Sequence, residues 1–380
     1  MSDVYLLAES AETALGGGEA NLFEALRSGR SGAAPVTRFD ASRLIASKAA
    51  CIDVSPEERK SGENLTQALL RRLFPRLSHL PPVDSIIWAG VKGNAEFIES
   101  GQGITCPYPH LPRHYSHWIR DELGWPQARL LEVNAACVSS TLGLALGAER
   151  IASGRCRSAL VIAADIVSRF TFAGFSALNA LTPDTCRPFD SGRNGLLLGD
   201  GAGAIVLSGE EYARDSGMPP LARLSGWGMA NDANHITAPA RDGRGLVAAI
   251  QAALQGAGLK PDDVGAVCAH GTGTVYNDAM ELTAVETIFG ERRFPVFSIK
   301  GAVGHTLGAA GCIETLISVR ALAERIVPPT SGLRSPEPRA VGRASEAPQK
   351  FRTGAILKTS SGFGGVNVAL LLESAAGADT

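Results

Sequence analysis

Short apolar stretches recur along the chain at 85–89 (Ser-Ile-Ile-Trp-Ala), 130–133 (Leu-Leu-Glu-Val), 159–164 (Ala-Leu-Val-Ile-Ala-Ala), 204–207 (Ala-Ile-Val-Leu), 265–268 (Gly-Ala-Val-Cys), 295–298 (Pro-Val-Phe-Ser) and 355–358 (Ala-Ile-Leu-Lys). Each is short and rich in aliphatic or β-branched side chains, which predicts a strand. Most are continuously apolar instead of alternating, as expected of strands covered on both faces. Helical patterns lie between them. The clearest, Leu-Val-Ala-Ala-Ile-Gln-Ala-Ala-Leu at 246–254, is bounded by Gly245 and Gly256. The alternation is that of an α/β protein.

A polar stretch at 209–220, ending Gly-Met-Pro-Pro, is the expected seam between two halves, 1–217 and 218–380. The segment 329–347, rich in Pro, Arg and Ser, reads as an exposed loop. Comparing the chain with itself gives an echo: Thr141-Leu142-Gly143 with Glu149, then Thr306-Leu307-Gly308 with Glu314, about 165 positions later. Each copy follows a short strand and a small-residue turn, and opens a helix rich in Ala and Gly. A duplicated half and a chance match both fit this echo.

Length and charge narrow the picture. The chain's 380 residues exceed what one core usually fills, and its 45% apolar content excludes a largely disordered chain. With 36 basic and 38 acidic side chains the net charge is −2, so no global positive field draws nucleic acid or an anionic membrane. No apolar run approaches the ~20 residues that span a bilayer. The seven cysteines form no CxxC pair and are odd in number, which points to free thiols in a reducing compartment. The first ten residues lack a basic start and a long apolar core, so no secretory leader is expected. A cytoplasmic protein is the resulting expectation.

Three positions could carry chemistry. Cys137 lies in Asn134-Ala-Ala-Cys-Val-Ser-Ser140, at a turn from strand to helix. It is either a small buried hydrophobe or a nucleophile, since a helix N-terminus favours a thiolate by up to ~2 kcal/mol. His270 closes a strand and opens Gly271-Thr-Gly-Thr274, whose glycines admit close backbone approach and whose hydroxyls can hydrogen-bond a ligand. His305 again stands between strand and helix, in Ser298-Ile-Lys-Gly-Ala-Val-Gly-His305. Two similar halves would point Cys137 and His305 at a shared centre. Lys300 could pair with Glu314, because an unpaired buried charge is costly. Other features point away from cofactors. Gly199-Asp-Gly-Ala-Gly203 leads into a strand instead of a helix, so it reads as a tight turn and not a dinucleotide loop. His110, His114 and His117 are interrupted by Pro112 and have no carboxylate or Cys at a ligand-like offset, which disfavours a metal.

In this order, the Cys137 turn, Arg187-Pro-Phe-Asp190, Gly199–Gly203, His270–Thr274, Lys300–Gly311 and Gly362-Phe-Gly-Gly365 resemble the elongating, Cys-His-His type of β-ketoacyl-acyl-carrier-protein synthase, within the thiolase-like condensing enzymes. The resemblance covers about two-thirds of the chain, from position 131 to 365. It implies a duplicated five-layered αβαβα fold and an acyltransferase that loads an acyl chain on Cys137, then condenses it with a decarboxylated malonyl thioester. His270 and His305 would be neutral hydrogen-bond donors, and Lys300 would order the His305 side through Glu314. Backbone N–H groups of Cys137 and Phe363 would form the oxyanion hole, Thr272 and Thr274 would meet the pantetheine arm, and Phe363 with Phe175 would gate the acyl channel. Arg59 and Lys60 fall where relatives meet the acidic acyl carrier protein. The resemblance also implies a homodimer acting in fatty-acid or polyketide-like synthesis. It implies no cofactor or metal of the chain's own, since phosphopantetheine would arrive on the substrates. A non-catalytic chain-length or initiation partner and a thiolase-fold acyltransferase are the alternatives. Two departures stand out: the first strand looks shortened to 4–7 before Thr13-Ala-Leu-Gly16, and the region 86–123 looks abbreviated.

Overall fold

The computed structural model describes residues 3–91, 93, 99, 113–352 and 354–375. In the N-terminal half, β1 (Tyr5–Thr13), β2 (Ser85–Trp88), β3 (Arg129–Glu132), β4 (Ser158–Asp165) and β5 (Gly201–Ser208) lie in the order β1-β5-β4-β2-β3. In the C-terminal half, β6 (Ala222–Asn231), β7 (Val264–Cys268), β8 (Val296–Phe297), β9 (Ala355–Ser361) and β10 (Val366–Glu373) lie in the order β6-β10-β9-β7-β8. The two orders are the same pattern. The directions repeat as well: β2 runs parallel to β3 and β4, as β7 does to β8 and β9. The remaining pairs, β4–β5 and β5–β1 in one half and β9–β10 and β10–β6 in the other, are antiparallel. Two short pairings, Tyr5 with Arg223 and Leu6 with Ala222, join β1 to β6 and make one continuous sheet.

Helices layer on both faces of this sheet. On the outside of the N-terminal half lie α1 (Leu65–Leu73) and α2 (Arg113–Glu122). Between the halves lie α3 (Ser139–Ala152) and, from the second half, α7 (Ala310–Glu324), packed against each other. Near the cavity described below lies α4 (Arg169–Ala177), and outside the C-terminal half lie α5 (Arg244–Ala257) and α6 (Val275–Phe289). The result is five layers, αβαβα, with the main cores lying outside each half and between them. Strand alternation sends Ile162, Leu357 and Leu371 outward, and Val161, Ile356 and Leu370 to the middle core, where they meet Leu144 and Ile313. Both faces of β2, β4, β5, β7 and β9 are dry, which is why their runs are continuously apolar, whereas β3 and β6 keep part of their length exposed.

Several sequence expectations change. The first strand is not shortened to 4–7 but runs for nine residues, Tyr5–Thr13; its polar Glu9 and Ser10 are buried there by pairing with β5, and they had disguised it. The strands β6 and β10 were not anticipated. In β6 the reason is packing: Gly226 and Gly228 lie so close to α5 that a Cβ would stand 2.9 Å from Ala257 Cβ or 2.8 Å from Ala252 Cβ, so the strand has little side-chain signature. The seam 209–220 contains a short helix, Glu210–Ser216. The segment 329–347 is not simply exposed, because Arg343 is fully buried and donates to the carbonyls of Gly290 (2.6 Å) and Arg339 (3.0 Å) behind the end of α6. The glycines of 199–203 serve close packing and not a tight turn: a Cβ on Gly203 would meet Cys312 Cβ of α7 at 2.7 Å.

Candidate active site

The strand β3 ends at Glu132 and α3 begins at Ser139, leaving a turn that holds Cys137. Ala136, just before it, takes φ +49°, a left-handed backbone that costs a non-glycine residue of the order of 1 kcal/mol. Ser139 fastens the turn, accepting from Ala135 N at 2.9 Å and donating to Ala136 O at 2.7 Å. Cys137 is thereby held two residues ahead of α3, at its electropositive end, buried but lining a cavity.

His270 and His305 reach the same cavity from the other half. Two carboxylates of α6 hold the His270 loop through its backbone. Glu281 accepts from His270 N (2.7 Å) and Gly271 N (2.6 Å), while Asp278 accepts from Thr272 N (3.0 Å) and Phe189 N (2.9 Å). Burial, reinforced by Asp278, pushes the Glu281 carboxyl up to about 7. His305 is propped from the opposite side: its N–H donates to Leu197 O at 2.6 Å, and its carbonyl accepts from Gly199 N at 3.2 Å. The glycine-rich segment therefore supports a histidine. The two imidazoles meet edge to face, with ring centres 5.2 Å apart and planes at 85°.

Lys300 was expected to order the His305 side through Glu314, but the contacts described for it run to His270, behind which it forms a buried charge cluster. Lys300 pairs with Glu314, and its Nζ also lies 2.5 Å from His270 O and 3.4 Å from His270 Nδ1. An ammonium can only donate, so Nδ1 accepts and the neutral ring carries its proton on Nε2. Burial holds His270 well below the usual histidine range, and the positive charge of Lys300 reinforces this. The second oxygen of Glu314 lies 2.6 Å from Lys358 Nζ, an ionic contact rather than a directed hydrogen bond.

The cavity has a volume of about 440 Å³. Thr272 and Thr274 line it with their hydroxyls 2.9 Å apart, and Phe175 of α4 stacks on Phe363 at 5.7 Å between ring centres. Gly362 runs close to the nucleophile turn: a Cβ there would stand 3.5 Å from Cys137 N. Arg59 and Lys60 do not line this cavity. Arg59 donates to Glu63 O at 2.8 Å, and Lys60 lies 3.5 Å from Glu122. The basic residues beside the cavity are Arg241 and Arg244, which line an adjoining hollow with His235 and Tyr276. Among the described residues no three His, Cys, Asp or Glu side chains converge to hold a metal, and His110 lies outside those residues. Sequence reasoning missed Lys358, Asp278 and Glu281. A lysine inside an apolar strand, and two acids opening the helix after the Gly-Thr-Gly-Thr loop, were the available signals.

A cysteine at a helix N-terminus and two imidazoles from the other half of an αβαβα fold thus line one cavity. Residues 126–213 match the family model described as "Beta-ketoacyl synthase, N-terminal domain", and residues 221–334 match "Beta-ketoacyl synthase, C-terminal domain". The chain is 36% identical over 298 residues to "3-oxoacyl-[acyl-carrier-protein] synthase 2" of Vibrio harveyi, covering 75% of this chain and 72% of that one. It is 37% identical over 245 residues to "Nodulation protein E" of Rhizobium meliloti, covering 63% of this chain and 61% of that one. The match thus spans about three-fifths of that relative's length. Among solved structures, "The ishigamide ketosynthase/chain length factor" superimposes with a TM-score of 0.86 at 29% identity, covering 99% of this chain and 100% of the other. The chain belongs to the β-ketoacyl synthase family.

Proposed function

We propose that this protein is a β-ketoacyl-acyl-carrier-protein synthase. The observation that carries the reading is the single cavity lined by Cys137, His270 and His305, with the His270 ring oriented by Lys300. In the first half-reaction Cys137 Sγ attacks the carbonyl of an acyl thioester. The C–S bond to the carrier breaks, and the carrier thiol leaves with the proton from Cys137. In the second, a malonyl thioester loses carbon dioxide, and its electron pair becomes an enolate. The enolate carbon attacks the acyl-enzyme carbonyl, a C–C bond forms and Cys137 leaves as thiolate. The Nε2–H of His270 and a ring N–H of His305 donate to the enolate oxygen, and the backbone N–H groups of Cys137 and Phe363 receive the oxyanion of each tetrahedral intermediate. His270 suits this role as a neutral donor, because its protonation is disfavoured.

Thr272 and Thr274 contact the pantetheine arm in this reading, and Phe363 with Phe175 gates the acyl pocket. The substrates are acyl and malonyl groups on an acyl carrier protein, with Arg59 and Lys60 as basic contacts for its acidic surface, and the pathway is fatty-acid or polyketide-like synthesis. The working unit is a cytoplasmic homodimer in which each subunit consists of halves 1–217 and 218–380. No helix among the described residues is long and apolar enough to cross a membrane. The test is intact-protein mass spectrometry after incubation with an acyl-carrier thioester. The acyl mass is expected on Cys137 in the parent and not in Cys137→Ala. Absence of added mass in the parent refutes the proposal, while loading without malonyl decarboxylation would favour an acyltransferase.

A further inference from the structure

Lys358, in the central strand β9, is fully buried and has no part in the mechanism so far. Its Nζ lies 2.6 Å from Glu314 Oε2, 2.6 Å from Thr359 O and 2.5 Å from Ser360 Oγ. Lys300 is surrounded in the same way, by Glu314 Oε1, His270 O and His270 Nδ1. Lys300 has three acceptors, which match the three donors of an ammonium, while Lys358 donates to Thr359 O and Ser360 Oγ and meets Glu314 Oε2 as an ion pair. Glu314 is therefore one negative charge shared by two positive ones. The cluster keeps a net charge of +1 out of contact with water, immediately behind a histidine that lines the cavity. An uncompensated buried charge is expensive, and this one stands where a neutral imidazole is required.

We propose that Lys358 is a positioning residue of the condensing site: it occupies one oxygen of Glu314 so that Lys300, on the other, turns to His270 Nδ1, and its surplus positive charge keeps His270 uncharged and donating through Nε2. The catalytic consequence rests on the function proposed above, but the charge relation does not. The groups facing His270 are Lys300 from the short helix Lys300–Val303 after β8, Lys358 from β9, Glu314 from α7 and the ring of His305. Asp278 and Glu281 of α6 face its loop, bound to backbone amides, and Arg193 stands 4.0 Å from Asp278. Burial comes first among the causes that disfavour protonation of His270, followed by Lys300, His305 and Lys358.

The test is a pH titration of histidine-labelled protein by NMR, with His270 assigned by substitution. In Lys358→Met, Lys300 and Glu314 remain as a neutral pair, and the protonation midpoint of His270 is expected to rise by about one pH unit, a tenfold change in its protonation equilibrium. In the double variant Lys358→Met/Glu314→Gln, Lys300 alone restores the net +1, and the midpoint is expected to fall back. Malonyl-thioester decarboxylation by Lys358→Met is expected to lose activity on its acid limb at a correspondingly higher pH. A space-filling role would lower the rate at every pH without moving the limb. Lys358→Gln makes the same charge change while keeping a polar group beside Thr359 and Ser360, so a folding defect in one variant does not decide the question. An unmoved His270 midpoint in the folded single variant, or a double variant that fails to return, overturns the inference. A parent protein that never decarboxylates malonyl thioesters overturns the proposed function instead, and the NMR comparison still decides the role of Lys358.

Discussion

Replacing Gly311 by alanine probes the junction that holds both halves of the site. Gly311 is the second residue of α7, where that helix crosses the start of α3. A Cβ there would stand 2.7 Å from Ser140 Oγ, and nearer still to Thr141 Oγ1 and N. Ordinary contact begins near 3.4 Å, so clearing the fixed backbone N of Thr141 parts the helices by about 1 Å. Parting them also strains the hydrogen bond from Cys312 N to Ser140 Oγ (3.1 Å) and the Thr141–Ser360 hydroxyl contact (2.8 Å). Overpacking of this kind costs ~1–3 kcal/mol. For 380 residues, an unfolding entropy of ~2.1 cal/mol/K per residue converts that into a Tm lowered by about 1–4 °C. Activity should suffer more, because Cys137 and Glu314 ride on the two displaced helices and a misplacement approaching 1 Å costs up to ~100-fold in rate.

The assay pairs a melting curve with turnover of acyl and malonyl thioesters, using Gly256→Ala as the control. Gly256 lies in the last turn of α5, and an added methyl there would meet nothing within 4 Å, so alanine should be neutral or stabilising by up to ~1 kcal/mol. Gly311→Ala with a parental Tm and turnover within twofold of the parent would refute the close-crossing explanation.

Further outcomes concern catalysis, charge and pH. His305→Ala should slow malonyl decarboxylation by ~100-fold or more while leaving acyl loading on Cys137 within a few-fold, since the donor is needed for the enolate; equal loss of both steps, measured by product release and intact mass, would remove His305 from that role. Arg38→Met should destabilise the fold by ~3–5 kcal/mol in chemical denaturation, because it strips the counter-charge from fully buried Asp200, which Arg38 Nη1 reaches at 2.8 Å; a loss under 1 kcal/mol would show that the amides of Ile52 and Val167 suffice. Glu9 should give the protein a pH-dependent stability. Burial, with Glu19 nearby, pushes its carboxyl from 4.5 up to about 8, and its Oε2 has no hydrogen-bond partner among the described residues. Between these values the folded chain holds a proton that the unfolded chain has released, so this contribution is favourable at low pH and is lost as pH rises towards 8. Glu9→Gln should therefore melt close to the parent near pH 5 and above it near pH 8–9; parallel Tm curves across that range would contradict the assignment.

Much of the site was legible because its residues stand at junctions with local signatures. Cys137 and His305 follow short strands through small-residue turns, and His270 opens a loop of glycines and threonines. A strand-to-helix turn of this kind advertises itself by composition, since close approach excludes large side chains. The sequence echo was less informative about detail. Glu149 falls in the last turn of α3 and accepts from Trp227 Nε1 at 3.2 Å, while Glu314, at the same spacing, lies in the first turns of α7 between two lysines. A 3-10 turn at Leu307–Ala309 delays the start of α7 and changes what the matching position touches.

The chain's local pattern determined that strands and helices alternate, that most of the strands are buried on both faces, and which side chains stand at the ends of strands. These follow from periodicity and backbone preference, which act over a few residues. Only the tertiary structure decided that β6 exists, that the two halves share one sheet, and that the Lys300–Glu314 pair serves His270, with Lys358 beside it. Those outcomes depend on contacts between residues far apart in the chain: glycines that let α5 lie on β6, and a carboxylate on a central helix placed between lysines from a short helix and a strand. Charge burial is a property of the assembled layers, and no short window of sequence records it.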